Sequence, residues 1–166
     1  TLSSGSPNAL KDREGLQLAK DSGTIVVEQE YAAPVSVVWR AITDRDQMRL
    51  WFFSEMRDFK PVVGFETQFT VEFKGQEFIH RWRVTEVVPE RRIQYDWLYG
   101  GFPGNSSVTW ELSETPKGTK LKLTHEGRES FPQNIPAFSR ESCQAGWDYF
   151  LGESLKTFLQ PQEDGT

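Results

Sequence analysis

The segment GWDYFLGESLKTFLQ, residues 146–160, constrains the fold more than any other part of the chain. Trp147, Phe150, Leu151, Ser154, Leu155, Phe158 and Leu159 recur in it at helical spacing. At about 100° per residue they fan over roughly half the circumference, wider than the ~100° stripe of a surface helix. A helix that is apolar over so broad an arc needs a partner that curves around it.

The middle of the chain supplies such a partner. In FETQFTVEF, Phe65, Thr67, Phe69, Val71 and Phe73 share one face, and Glu66, Gln68, Thr70 and Glu72 take the other. The same alternation puts Phe78, His80, Trp82 and Val84 on one side of FIHRWRV, and Ile93, Tyr95 and Trp97 on one side of IQYDW. Val108, Trp110 and Leu112 follow in VTWEL, then Leu121, Leu123 and His125 in KLKLTH. Short turn signals (FKGQ, VVPERR, GGFPGNSS, TPKGTK) separate these runs, as in an antiparallel meander with one apolar and one wet face. Before them, TIVVEQEYA reads as a strand. Pro34 then opens a short helix carrying Val35, Val38, Trp39 and Ile42, and a second covers Asp46 to Phe52, ending in the apolar cluster Leu50 to Phe53. The expectation is an α+β fold: a curved antiparallel sheet wrapped around a long C-terminal helix from about Ser139 to Gln160, with two short helices after the first strand. Trp147, Phe150, Leu151, Leu155 and Phe158 are expected to be buried by the sheet. Residues 24–160 form this domain, residues 1–23 a loose polar arm, and residues 161–166 a tail.

Charge narrows the choice of function. The formal net charge is −5, the opposite of what a nucleic-acid partner favours, and no Lys/Arg block occurs. No run of 18 or more apolar residues is present, so no bilayer-spanning helix is expected. The single cysteine, Cys143, has no partner for an internal disulfide, which fits a cytoplasmic setting. It also lacks neighbours at zinc-ligand spacing, so no metal and no cofactor is expected.

Five motifs in order carry a family resemblance: AAPVSVVWRAITD followed by Leu50-Trp51-Phe52, Val63-Gly64 before a strand, VTEVVPERRIQYDW, LTHEG, and GWDYFLGESL. Together they resemble START-like (SRPBCC, birch-allergen-type) domains, and more narrowly the C-terminal domain family of the heat-shock protein 90 ATPase activator. The resemblance implies a helix-grip fold, often around an apolar cavity, and a link to chaperones and the stress response. It does not select a chemistry, because the superfamily includes lipid carriers, receptors, cyclases and co-chaperones. The eukaryotic co-chaperone has an additional N-terminal domain that does much of the activation, and residues 1–23 are too short to supply it.

Strand polarity brings His80, Trp97, Val108 and His125 to one end of the sheet, with Tyr95 one step deeper. The GGFPGN loop and RESFPQNIPAFSR cap that end, which is read as the mouth. Both histidines point inward there, as hydrogen-bond partners of a ligand, as acid/base groups titrating near neutrality, or as satisfied residues at a wet rim. Phe69, Phe73, Trp82, Tyr95, Trp97, Trp110 and Trp147 either line a cavity for a planar or acyl ligand or pack solid. Gly101, Phe102 and Gly104 read as a lid; without Lys or a following helix the loop is no phosphate cradle. No nucleophile triad or carboxylate pair emerges, so no catalytic residue is assigned. Three functions remain open. They are a non-catalytic domain binding a small apolar or aromatic molecule, a chaperone co-factor acting as a protein-interaction module, and a cyclase- or hydratase-type enzyme using His80, His125 or Tyr95.

Overall fold

A computed structural model describes residues 24–132 and 134–159; the arm, the tail and Gln160 lie outside the described residues. β1 (Ile25–Tyr31) alternates as its sequence requires, burying Ile25 and Tyr31 at its ends. Pro34 caps α1 (Val35–Thr43), which buries Val38, Ala41 and Ile42. Asp44 ends α1 and starts α2 (Arg45–Trp51), its side chain accepting from the Gln47 backbone N–H at 3.1 Å. This cap turns the chain sharply while satisfying one of the helix's orphan donors. Trp51 is buried and donates from Nε1 to the Ala41 carbonyl at 2.8 Å. Leu50 departs from the expected apolar cluster. One residue before Trp51 on a helix, it points about 100° away and is 74% exposed.

Five strands then form the meander: β2 (Glu66–Phe73), β3 (Gln76–Val88), β4 (Arg92–Gly100), β5 (Ser106–Thr115) and β6 (Gly118–Glu126). The sheet order is β1-β6-β5-β4-β3-β2, antiparallel throughout, so that β1 closes onto β6 and β2 is the far edge. The β2–β3 hairpin turns on Lys74 and Gly75, with φ of 53° and 83°. Two consecutive positive φ values match the right-handed twist of the flanking strands, and glycine takes the second at no steric cost. A register shift between Val84 and Glu86 on β3 adds local twist opposite β4. Twist and bulge bend the sheet so that its ring-bearing face becomes concave.

The terminal helix fills that concavity in three consecutive segments: α3 (Arg140–Tyr149), a π turn (Phe150–Ser154) and α4 (Leu155–Leu159). Ser139 caps it, accepting from the Ser142 N–H at 3.1 Å. Trp147, Leu151 and Leu155 are buried. Phe150 and Phe158, expected to be buried, are only partly so. The wider turn rotates side chains relative to a uniform 3.6-residue helix, and it frees carbonyls that need other donors. The Tyr31 hydroxyl donates to the Leu151 carbonyl at 2.6 Å, fastening the π turn to β1. Ser154 ties the next turn to α2 by donating to the Trp51 carbonyl at 2.6 Å. Among the described residues no helix is long and apolar enough to cross a membrane.

Candidate functional site

The grip is not solid. A cavity of about 280 Å³ lies between the inner faces of β3, β4 and β6 and the N-terminal half of the terminal helix. Strand pairing decides which side chains reach it. Register sets His80 of β3 opposite Tyr99 of β4, and Trp97 of β4 opposite Ser106 of β5. Next along, Val108 of β5 lies opposite His125 of β6. Because pleating sends alternate residues to one face, His80, Trp97, Tyr99 and His125 all look inward. Trp97 sits between the histidines, its ring centroid 5.4 Å from that of His80 and 5.6 Å from that of His125. Phe53 closes the α2 side, and Trp147 and Phe150 descend from the helix.

His125 is held on both nitrogens. The Trp147 indole Nε1–H donates to Nδ1 at 3.1 Å, so Nδ1 carries no proton. Nε2 therefore bears the hydrogen and donates to Ser106 Oγ at 2.9 Å, and Ser106 in turn donates to the Trp97 carbonyl at 2.7 Å. This chain of three bonds fixes one neutral tautomer and pins the terminal helix to the sheet. Burial, reinforced by the Arg128 charge nearby, pushes the His125 pKa down to about 3.

His80 differs. Its Nδ1 faces the Phe78 carbonyl at 3.3 Å and so carries the proton, which leaves Nε2 an acceptor with no partner among the described residues. Phe69 stacks on the ring at 5.3 Å, and burial pushes its pKa down to about 4, against a small opposing effect of the Phe78 bond. Trp97 Nε1–H is buried out of solvent's reach and lies against the Tyr99 hydroxyl. Burial pushes the Tyr99 hydroxyl up, as does the nearby Cys143 thiol; the Trp97 N–H and the Arg128 charge act the other way. The Cys143 thiol lines the same wall and is itself raised by burial, although Arg128 partly offsets this. The histidines are thus not at a wet rim. They are 6% and 2% exposed, and neither titrates near neutrality, because an imidazolium in this ring-lined interior loses its hydration.

Of the residues singled out from the sequence, Phe73, His80, Trp97, His125 and Trp147 line the cavity. Phe69, Trp82, Tyr95, Val108 and Trp110 lie behind its wall. Trp82 stacks between Tyr95 and Trp97, at 4.8 Å from each, and Trp110 Nε1 donates to the Tyr95 hydroxyl at 3.0 Å. The expected mouth is narrowed. Phe78, Phe131 and Phe138 form a second apolar cluster there, and Phe102 packs on Phe78 and Phe138 instead of reaching the cavity. Gly104, at φ +114°, lets the 101–105 loop lie against this plug; a Cβ there would stand 2.5 Å from the Phe131 ring. Phe73 at the end of β2 is the exposed lining residue, and Val71 beside it, Ala137, and Ser142 and Gly146 on α3 are partly exposed, so the cavity reaches the surface where the β2 edge, the 136–138 turn and the helix meet. Tyr99, Phe53, Phe78, Phe138, Cys143 and Phe150 complete the lining. Tyr99 was readable by continuing the Ile93, Tyr95, Trp97 alternation two more residues. Phe53 and Phe138 sit in irregular segments where no period applies.

A family model described as Activator of Hsp90 ATPase homolog 1-like protein matches residues 32–160. Among solved structures, protein CV1439 from Chromobacterium violaceum is similar over 84% of this chain and 99% of its own, at 26% identity and a TM-score of 0.70. Protein MLL2253 from Mesorhizobium loti matches at 30% identity and a TM-score of 0.68, covering 82% of this chain and 96% of its own. CalU16 from Micromonospora echinospora matches at 29% identity and a TM-score of 0.61, over 86% of this chain and 79% of its own. No curated protein matches the chain.

Proposed function

The chain belongs to the family of Activator of Hsp90 ATPase homolog 1-like proteins, and on that premise we propose that it is a non-catalytic START-like domain that binds a small apolar or aromatic molecule inside the grip. One observation carries this reading. The cavity of about 280 Å³ is walled by aromatic rings with no Asp, Glu, Lys or Arg among its lining residues, and His80 Nε2 is an acceptor on that wall with no partner among the described residues, unlike the two engaged nitrogens of His125. An uncharged, ring-lined enclosure of this kind stabilises an apolar or aromatic molecule by burial and leaves a lone acceptor to orient it.

The same geometry argues against catalysis. A general base works best with a pKa near the operating pH, and His80 is pushed down to about 4. His125 has both nitrogens engaged, which leaves no lone pair for a substrate proton. Cys143 is raised by burial, which keeps it a thiol. In this reading Phe73, His80, Trp97, His125 and Trp147 contact the ligand. Phe69, Trp82, Tyr95, Val108 and Trp110 hold that wall in place, and the loop with Gly101, Phe102 and Gly104 braces the narrowed end.

The test is titration with the neutral fluorophore N-phenyl-1-naphthylamine, alongside a native mass spectrum of freshly expressed protein. The expected result is saturable one-to-one binding that quenches tryptophan emission, because Trp97 and Trp147 line the site. Absence of binding up to the solubility limit, with no retained small molecule, would remove the cavity reading in favour of an interaction module.

A further inference from the structure

We infer that the outer edge of β2 pairs with the same edge of a second copy of this chain, joining the two sheets antiparallel about Thr70. The sheet has two edges, β1 and β2, and they are treated differently. The terminal helix lies along β1: its π turn takes the Tyr31 hydroxyl at 2.6 Å, and Arg140 donates to the Thr24 carbonyl at 2.8 Å. At β2 the helix stands off, and the cavity opening separates the two. β2 also lacks the devices that usually keep an edge from pairing. It runs eight residues, ETQFTVEF, without proline or lysine, and its register with β3 is unbroken from Glu66 to Phe73. Exposed apolar side chains flank it, Val62 and Val63 just before it and Phe73 at its end.

The direction of the backbone groups follows from alternation. The Phe65 carbonyl accepts from the Val84 N–H at 2.9 Å, so the odd-numbered residues from Phe65 to Phe73 turn their backbone groups to β3. Glu66, Gln68, Thr70 and Glu72 turn theirs to the open edge, where no strand among the described residues takes them.

Charge selects the register. Opposed residues of an antiparallel pair share a face, so β2 meets its own copy only with outward-facing residues opposite one another. A two-fold axis at Phe69 would set Glu66 opposite the partner's Glu72 on both sides, giving two like-charge pairs. An axis at Thr70 sets Glu66 opposite the partner's Lys74, and Gln68 opposite the partner's Glu72. Shifts further either way shorten the pairing. With the axis at Thr70, the two Thr70 residues exchange both backbone bonds, as do Gln68 and the partner's Glu72 and their symmetry mates, about six bonds in all. On the concave face Phe69 meets the partner's Val71, and Phe73 meets the partner's Thr67, one step from Phe65. The arm is a poorer occupant of this edge, because the chain enters at Thr24, beside β1 on the opposite side of the sheet.

Sedimentation velocity on the full chain, from micromolar to millimolar concentration, tests this. The wild type is expected to pass reversibly from monomer to dimer. Thr70→Pro removes the N–H at the centre of the pairing and is expected to stay monomeric. Because that N–H faces the open edge, the variant should keep the thermal midpoint of the dilute wild type. Lys74→Glu turns both Glu66 pairs into like-charge pairs and should raise the dimer Kd at least tenfold, with recovery when Glu66→Lys is added. A wild type that is monomeric at every concentration overturns the inference. So does a dimer that survives in Thr70→Pro, since another face would then hold it. A dimer lost in Thr70→Pro but indifferent to Lys74→Glu overturns the register about Thr70. If Thr70→Pro fails to fold, the charge pair decides: recovery in the double variant supports the pairing, and no recovery overturns it.

Discussion

His125 and His80 share a sheet face and a ring-filled interior, but their hydrogen bonds give them different jobs. Trp147, Ser106 and the Trp97 carbonyl use up His125, so it acts as a structural clasp between helix and sheet. His80 keeps one nitrogen for the cavity. The sequence showed both inward-facing positions through strand alternation. It could not show their burial, since the aromatic plug that dries them comes from Phe131 and Phe138 in an irregular segment. That burial has a consequence for stability. Both histidines are neutral in the folded chain and have ordinary pKa values near 6.5 when unfolded. Unfolding therefore takes up protons once the pH falls below about 6.5. The stability gained by keeping the rings neutral is complete above that value, and it is lost progressively towards about 4 for His80 and about 3 for His125. For His80 alone the linkage is on the order of 3 kcal/mol between neutrality and pH 4. Urea unfolding from pH 7 to pH 4 should show this decline, with a shallower slope in His80→Phe. An unchanged slope in that variant would mean the ring is hydrated.

Among the elements, the strands were the most legible, because a period of two survives any curvature of the sheet. The terminal helix was legible as a helix but not in its detail. Its π turn at Phe150–Ser154 leaves no mark on the apolar spacing, and it depends on donors from elsewhere, Tyr31 on β1 foremost. That turn is why Phe150 faces the cavity only partly buried, while Leu151 and Leu155 are fully enclosed. Leu155→Ala should cost on the order of 2–5 kcal/mol in a denaturant melt, as truncation inside a closed core does. A loss below about 1 kcal/mol would show that the sheet does not grip α4. The first short helix opens directly after Pro34, as expected, and the second runs Arg45–Trp51, one residue from the expected Asp46 to Phe52 at each end.

For the molecule as a whole, wrapping a six-stranded sheet around one helix leaves an unfilled volume beside α3, with an opening at the β2 edge. The sequence pointed to this end of the grip, and the phenylalanines carried by the loops that cap it narrow the opening there. Gly146 stands at the opening. It lines the cavity, and a Cβ built on it meets no atom within 4 Å. Gly146→Leu should therefore place a side chain in the opening without disturbing the core, and replacing glycine inside a helix gains roughly 0.5–1 kcal/mol of helix stability. The most direct test of the binding account is the affinity of N-phenyl-1-naphthylamine for wild type and for Gly146→Leu, with thermal midpoints measured in parallel. The account predicts at least a tenfold loss of affinity, about 1.4 kcal/mol, with a midpoint no lower than that of the wild type. Equal affinity in the two proteins would contradict it, since the probe would then be binding somewhere other than the cavity.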